Sequence, residues 1–158
     1  MAVAPIPPGY TGVTPYLIVR DAAQAIDFYK RAFGATEALR LLYPDGKVAH
    51  AELAIGQGFV MLAEEMAEGD YRGPQALGGT PVSLLVYVPD VDAAFTRAVA
   101  AGAKAQRPVA DQFYGDRSGV LVDPFGHVWS LATHKEDGPS EEMSRRRQAM
   151  IASGAGAP

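Results

Sequence analysis

The chain has 158 residues, a formal net charge of −4 and a pI near 5.3, and 48% of its residues are hydrophobic. This composition is typical of one globular domain with a sizeable core, and the acidic balance argues against nucleic acid as a partner. The chain has no cysteine, which excludes disulfides, thiolate metal ligands and cysteine nucleophiles.

The first nine residues carry neither a basic segment nor an apolar segment, so we expect no signal peptide. No apolar run reaches the roughly 18 residues that a membrane-spanning helix needs, so we expect no membrane contact. These missing signals favour a cytoplasmic protein.

The first half of the chain predicts a strand, a helix and three further strands. It follows an irregular proline-rich arm, residues 1–12, and is expected to span residues 13–63. Asp21 is a suitable N-cap for a helix that Gly34 ends. Pro15 cannot donate a backbone hydrogen bond, so we expect the first strand at a sheet edge or with a bulge at its start. The strands are predicted at about 12–19, 36–43, 47–55 and 59–63.

The second half predicts the same order after a linker rich in acidic residues, glycine and proline, residues 64–81. A helix over residues 91–101 lies between Asp90 as N-cap and Gly102 as its end. The second module is expected to span residues 82–134, with strands at 82–88, 103–109, 117–122 and 127–133 and a polar loop at 110–115. Residues 135–158 predict a helix over about 140–152 and a tail.

The two halves repeat one another at a nearly constant offset. The motif Val19-x-Asp21 recurs 69 residues later as Val88-x-Asp90, and Gly34-Ala35 recurs 68 residues later as Gly102-Ala103. Gly58 and Met61 match Gly126 and Trp129 at an offset of 68. The repeat predicts an α+β fold of two tandem βαβββ modules, whose mixed sheet curves around a ligand-binding cleft.

Several of these segments resemble the vicinal oxygen chelate superfamily, which includes glyoxalase I, bleomycin-resistance proteins and extradiol dioxygenases. The segments that carry this resemblance are Val19–Ala35, Val88–Asp92 and Asp123–Leu131. The segments His50–Leu53, Asp111–Arg117 and Ala132–Asp137 are similar to its PhnB-like branch. The resemblance covers about residues 12–150. It implies a glyoxalase-like fold and a homodimer, with each cleft built within one chain or from both.

Metal-using members of this superfamily carry histidine or glutamate at four inner strand positions. By resemblance, these positions fall at Thr14, Leu62, Ser83 and Ser130. Hydroxyl groups are poor ligands for a divalent transition metal, and leucine is not a ligand. We therefore expect no metal cofactor and no standard glyoxalase I reaction.

His50 and Glu52 are the leading candidates for chemistry. They are two residues apart on a predicted strand, so both face the same side, opposite Ala51 and Leu53. The pair suits a general base with the carboxylate that orients it, or two ligands of an atypical metal site. The alternative is a hydrogen-bonded polar pair on a solvated strand.

A second group of candidates lies in the loop before residue 117. Phe113 and Tyr114 have rings that could stack on a planar ligand, and Arg117 could bind a carboxylate or phosphate in bidentate fashion. The alternative is an internal ion pair between Asp116 and Arg117 that holds the loop.

Strand alternation predicts the cleft wall. The side chains expected to line it are Tyr16, Leu62, Ser83, Leu85, Tyr87, Val128 and Ser130. Trp129 has the opposite parity and is expected to pack in the core, while His134 is expected at the surface. The alternative is that the predicted wall fills a closed core.

Three hypotheses follow. The leading hypothesis is a metal-free protein of the glyoxalase and bleomycin-resistance type that binds a small apolar or aromatic molecule. The second is a lyase or isomerase of the same fold that uses His50 and Glu52. The third is a dimeric scaffold without a ligand, whose C-terminal helix binds a partner.

Overall fold

A computed structural model describes residues 3–10 and 12–154. The elements follow the predicted order, with one short helix added inside the predicted linker. They are β1 (Tyr16–Val19), α1 (Ala22–Phe33), β2 (Thr36–Leu42), β3 (Val48–Ile55), β4 (Gly58–Glu64), α2 (Pro74–Leu77), β5 (Ser83–Tyr87), α3 (Val91–Ala101), β6 (Lys104–Asp111), β7 (Asp116–Val122), β8 (Val128–His134) and α4 (Ser140–Ala152).

The strands form two four-stranded mixed sheets, in the orders β1-β4-β3-β2 and β5-β8-β7-β6. In each sheet the first strand pairs in parallel with the last, and the remaining pairs are antiparallel. Each module is therefore a βαβββ unit, which confirms the predicted α+β class. The edge position predicted for β1 from Pro15 is also confirmed.

Helices α1 and α3 belong to a single hydrophobic core that the two sheets share. Phe33 of α1 lies 4.7 Å, between ring centroids, from Trp129 of β8, and Tyr29 lies 5.5 Å from the same indole. The backbones of α1 and α3 also pack against each other. Each sheet thus has one face in this core and a second face, called its open face, on the opposite side.

A buried carboxylate joins the modules inside this core. Asp123, which is 4% exposed, accepts hydrogen bonds from the Tyr29 hydroxyl at 2.7 Å and from the Trp129 indole at 2.9 Å. Its other oxygen accepts from the backbone N–H groups of Phe125 and His127, both at 2.9 Å. Burial and the adjacent carboxylate raise the pKa of Tyr29 well above its ordinary value, so this phenol stays a donor.

The repeat holds in three dimensions except at one turn. Four residues, 55–58, lie between the paired residues Ala54 and Phe59 of β3 and β4. Five residues, 123–127, lie between the equivalent pair Val122 and Val128 of β7 and β8, so this connection is one residue longer. Pairing registers therefore make Met61 the equivalent of Ser130, at an offset of 69. The equivalence of Met61 with Trp129 predicted from the sequence is wrong by one residue.

The C-terminal helix α4 has no buried residue. Arg146 links it to the rest of the chain through Glu136, at 2.8 Å, and also pairs with Glu142 within the helix. Within residues 3–10 and 12–154, no helix is both long enough and apolar enough to cross a membrane. The docking of a partner on α4 stays a prediction.

Candidate functional site

Strand alternation places His50 and Glu52 on the open face of the first sheet, as predicted. Their neighbours Ala51 and Leu53 are 0% exposed and lie in the core under α1. Both polar side chains remain about one-fifth accessible, His50 at 21% and Glu52 at 20%. The face around them is mostly apolar or aromatic, and includes Tyr16, Leu39, Leu41, Phe59 and Met61.

Three of these side chains and Tyr10 form a continuous hydrogen-bonded chain, which we call the first cluster: Tyr16, His50, Glu52 and Tyr10. The Tyr16 hydroxyl lies 2.9 Å from His50 Nδ1, and His50 Nε2 lies 3.2 Å from Glu52 Oε1. The Tyr10 hydroxyl donates a short hydrogen bond to Glu52 Oε2. Since an ionised carboxylate only accepts hydrogen bonds, His50 donates from Nε2, and in the neutral imidazole Nδ1 accepts from the Tyr16 hydroxyl.

The cluster shifts the pKa values of its members apart. The hydrogen bond from Tyr10, with a smaller contribution from His50, lowers the pKa of Glu52 below its usual range. The same hydrogen bond raises the pKa of Tyr10 to about 12. Burial raises the pKa of Tyr16. At neutral pH the cluster thus holds the ionised carboxylate of Glu52 beside the neutral phenol of Tyr10.

Tyr10 comes from the proline-rich arm, and no motif or periodicity in that arm points to it. Its ring stacks on Phe59 with the centroids 4.6 Å apart and the planes 17° apart. Gly9 allows this approach, because a Cβ atom there would lie 2.6 Å from the Phe59 ring. The arm therefore covers one end of the open face and completes the first cluster.

The open face of the second sheet carries the predicted residues Ser83, Tyr87 and Ser130. Val120 lies beside Ser130 in the paired strand, and Leu85 lies on its other side. Leu85 and Tyr87 are 55% and 56% exposed, so this wall is open in the single chain and does not fill a closed core.

A second cluster lies at one end of this face and consists of Tyr87, Asp116, His134 and Asp137. Asp116 is only 6% exposed and accepts from the Tyr87 hydroxyl at 2.8 Å and from His134 Nδ1 at 2.7 Å. His134 Nε2 lies 2.9 Å from the fully exposed Asp137. Asp116, with help from Asp137, raises the pKa of His134, and Asp116 also raises the pKa of Tyr87.

His134 was expected at the surface, and its imidazole is half exposed, but its position on the open face was missed. β8 extends one residue further than predicted, so Val128, Ser130, Ala132 and His134 alternate onto the same face. That alternation is the signal in the sequence that would have identified it.

The loop before β7, residues 112–115, contains two aromatic rings and is called the aromatic loop. One of its two rings reaches the second open face. The Tyr114 hydroxyl lies 3.4 Å from the hydroxyl of Ser118, and the Phe113 ring packs edge-on against Tyr114 at 5.1 Å. Gly115 closes the loop in a left-handed conformation, and its carbonyl accepts from the N–H groups of Lys135 and Glu136. Tyr114 is thus positioned near the second cluster.

Two of the predicted cleft residues are corrected. Leu62 is 0% exposed and lies in the core, because the shorter turn between β3 and β4 puts Met61 on the open face instead. Arg117 points to the helix side of its sheet, where its guanidinium binds Asp92 of α3 at 2.7 and 2.8 Å and Asp111 at 3.1 Å. The ion pair predicted as the alternative forms with these two aspartates and not with Asp116.

Metal-using members of the vicinal oxygen chelate superfamily bind their metal at four inner strand positions. In this chain the side chains at those positions are not a suitable ligand set. After the register correction they are Thr14, Met61, Ser83 and Ser130. Hydroxyl and thioether groups are poor ligands for the divalent metals that use histidine and glutamate. Across the described part of the chain, no group of three or more His, Cys, Asp or Glu side chains has a metal-binding arrangement.

Comparison with known proteins gives a consistent family. Residues 10–131 match the model of the Glyoxalase/Bleomycin resistance protein/Dioxygenase superfamily. The protein Mb0911c of Mycobacterium bovis is 51% identical over 122 residues, which cover 75% of this chain and 80% of that protein.

Solved structures with the same fold include TioX from Micromonospora sp. ML1. TioX is 32% identical with a TM-score of 0.62, over 78% of this chain and 99% of TioX. The PhnB protein from Bacillus cereus has the same fold at 20% identity and a TM-score of 0.61, over 78% of this chain and 99% of that protein.

Proposed function

The chain belongs to the Glyoxalase/Bleomycin resistance protein/Dioxygenase superfamily, and from this premise we propose that it binds a small apolar or aromatic molecule on the open faces of its sheets. The observation that carries this proposal is the first open face, where exposed apolar side chains surround a preformed hydrogen-bonded cluster. Sites for small molecules combine such an apolar lining with a few fixed polar groups.

The ligand is oriented by the first cluster. Tyr16 is 44% exposed and is bound to His50, while Leu39 and Leu41 are 38% and 51% exposed beside Glu52 and His50. A planar ring laid on these side chains places its polar group against the Tyr16 hydroxyl or the imidazole. Binding needs no metal, because the residues at Thr14, Met61, Ser83 and Ser130 supply none of the usual ligands.

We further propose that the chain acts as a homodimer. In one chain each open face lies on the far side of its sheet from the shared core, so neither face encloses a ligand alone. A second copy that places its second open face over the first open face would bury the exposed side chains of Tyr16, Leu41, Leu85 and Tyr87. Such burial of apolar area is the main driving force for association.

A second candidate function is a proton-transfer reaction of the lyase or isomerase type. The hydrogen-bonded order Glu52, His50, Tyr16 favours it, since an oriented imidazole whose Nδ1 can accept a proton is a general base. A substrate C–H or O–H that displaces the Tyr16 hydroxyl would transfer its proton to His50 Nδ1, and Glu52 would stabilise the imidazolium.

Binding of 1-naphthol, a neutral aromatic probe, tests the leading proposal by amide NMR titration. We expect shifts at Tyr16, His50 and Glu52, and a loss of affinity of at least about fivefold in His50→Ala and Glu52→Gln, as for a lost polar contact. Glu37→Gln is the matched control, because the Glu37 side chain is comparably exposed, at 23%, but binds Lys30 of α1 on the helix side of the same sheet.

Unchanged affinity in both cluster variants would remove these residues from the site. Sedimentation equilibrium measures the dimer, and a monomer at micromolar concentration would refute it. Stoichiometric Zn, Ni, Mn or Fe in protein purified without added metal would contradict metal-free binding. For the second candidate, solvent-deuterium exchange into a small carbonyl acid that is lost in His50→Ala would establish proton transfer.

A further inference from the structure

We propose that the second open face contains an anion-binding subsite, in which Arg107 binds an acidic group of the ligand, a carboxylate or a phosphate. This inference rests on the proposed function, because it specifies the chemistry of the same ligand at the other side of the same cleft. The ligand is then an apolar or aromatic acid and not a neutral molecule.

The subsite is a groove of about 370 Å³ on the second open face. Its lining combines three hydroxyl side chains, one amide and one guanidinium with small apolar groups, and includes no acidic residue. The residues that line it are Thr80, Pro81, Val82, Ser83, Gln106, Arg107, Val120, Val128 and Ser130. In a chain with a net charge of −4, such a lining is locally basic.

A strand irregularity places the guanidinium in this groove. The register of β6 shifts between Ala105 and Arg107, and after the shift Arg107 lies opposite Val120 of β7. Val120 in turn lies opposite Ser130 of β8, so Arg107 and Ser130 are two strands apart, about 10 Å. An arginine side chain and a bound acidic group together span this distance. Bulges of this kind often direct side chains toward binding sites.

The polar groups of the subsite are available to a ligand. Within residues 3–10 and 12–154, the Arg107 side chain forms no ion pair or hydrogen bond, and the same holds for the side chains of Ser83, Gln106 and Ser130. By contrast, Arg40 and Arg117, which also lie on strands, each bind carboxylates. An unpaired guanidinium offers the bidentate geometry that carboxylate and phosphate groups prefer.

The test is an amide NMR titration of the full chain with benzoate, with its neutral analogue benzamide and with phenyl phosphate. We expect benzoate or phenyl phosphate to shift the amides of Ser83, Arg107 and Ser130, and benzamide to leave them unchanged. Arg107→Gln should weaken binding of the anion about tenfold or more, as for a lost charged hydrogen bond. The tighter of the two anions identifies the acidic group.

Arg147→Gln is the matched control, because Arg147 is also unpaired among the described residues but lies exposed on α4. It should leave the affinity within twofold of the parent value. Arg107→Lys keeps the charge without the bidentate geometry and should give an intermediate affinity, which guards against a folding defect in the glutamine variant.

Anion binding that is equal in the parent and in Arg107→Gln would overturn the subsite, as would equal binding of benzamide. If 1-naphthol still acts through His50 in that case, the proposed function stands without the subsite. If the anion binds at Arg107 while 1-naphthol affects neither open face, the subsite stands and binding at the first cluster fails.

Discussion

The two open faces have the same strand order but opposite chemistry in equivalent rows. Across the first sheet, one row of paired residues is Tyr16, Met61, Glu52 and Leu39. The equivalent row of the second sheet is Leu85, Ser130, Val120 and Arg107. The first row thus contains the carboxylate of Glu52, whereas the second row ends with the unpaired guanidinium of Arg107.

The two clusters also differ in where they lie within the repeat. Each contains tyrosine, histidine and a carboxylate, but they occupy non-equivalent positions of the repeat. His50 corresponds in the sheet to Ser118, and Asp116 corresponds to Lys47 at the end of the equivalent hairpin turn. Helix caps, by contrast, are kept: Glu64 accepts from the first N–H groups of α1, and Thr133, its equivalent, accepts from the first N–H of α3. The repeat preserves what folds the module and varies what faces the ligand.

The largest expected difference between the modules concerns two equivalent glycines, Gly46 and Gly115. Both have positive φ, at 85° and 95°, but a Cβ at Gly46 meets nothing within 4 Å, whereas one at Gly115 would lie 2.2 Å from the Glu136 carbonyl oxygen. Gly46→Ala should cost about 1–2 kcal/mol from backbone strain. Gly115→Ala should cost roughly 3 kcal/mol or more, since two hydrogen bonds to its carbonyl are also disturbed.

Urea unfolding of the two variants measures this difference. Equal losses in the free energy of unfolding would mean that the chain after β8 is not held tightly against the aromatic loop. The proposed difference between the two loops, in which Gly115 is packed against Glu136 and Gly46 is not packed, would then be wrong.

The next difference is between the two carboxylates. Asp116 is 6% exposed and serves two side chains, so Asp116→Ala should cost about 2 kcal/mol in the free energy of unfolding. Glu52 is 20% exposed, and water can replace it, so Glu52→Ala should cost below about 1 kcal/mol. Urea unfolding of both variants measures these losses in the free energy of unfolding. Equal losses would identify the first cluster as structural and not as a ligand site.

The smallest expected difference is in pH dependence, where the clusters respond in opposite directions. The pKa of Glu52 is lowered by Tyr10, so its contribution to stability is present above about pH 4.5 and is lost as the pH falls through the folded-state pKa. The pKa of His134 is raised by Asp116, so its contribution is present below about pH 6.5 and is lost as the pH rises through the folded-state pKa.

Three variants separate these effects. Tyr10→Phe should reduce the loss of stability with acid by returning the pKa of Glu52 toward its ordinary value. Asp116→Asn should lower the pKa of His134, followed by NMR, more than Asp137→Asn does, because Asp116 has the larger effect. A reversed order of the two aspartates would contradict the assignment of Asp116 as the main partner of His134.

Most of the fold could be predicted because its signals are local. The caps Asp21 and Asp90, the terminating glycines and strand alternation fix the helices and most strands within a few residues. The short helix α2 was missed although Gly73, Pro74 and Gly78 are suitable for its ends.

The site was predicted less completely because its decisive contacts are long-range. One extra residue in a turn exchanged Leu62 for Met61 on the open face, and no periodicity within one strand reveals such a change in register. Tyr10 reaches Glu52 from 42 residues away, through an arm without regular structure. Arg117 faces α3 because Asp92 lies there, a pairing that only the assembled module defines.

The buried carboxylate of Asp123 has a consequence for how the chain folds. Its donors are Tyr29 from the first module and three groups from the second, and the Tyr29 contact joins residues 94 positions apart. The second module folded alone would leave Asp123 without its phenol donor, and the first module alone would leave Tyr29 without its acceptor, so we expect neither module to be a stable intermediate. We therefore expect that the repeat visible in the sequence does not divide into two folding units and that the chain unfolds in one cooperative transition.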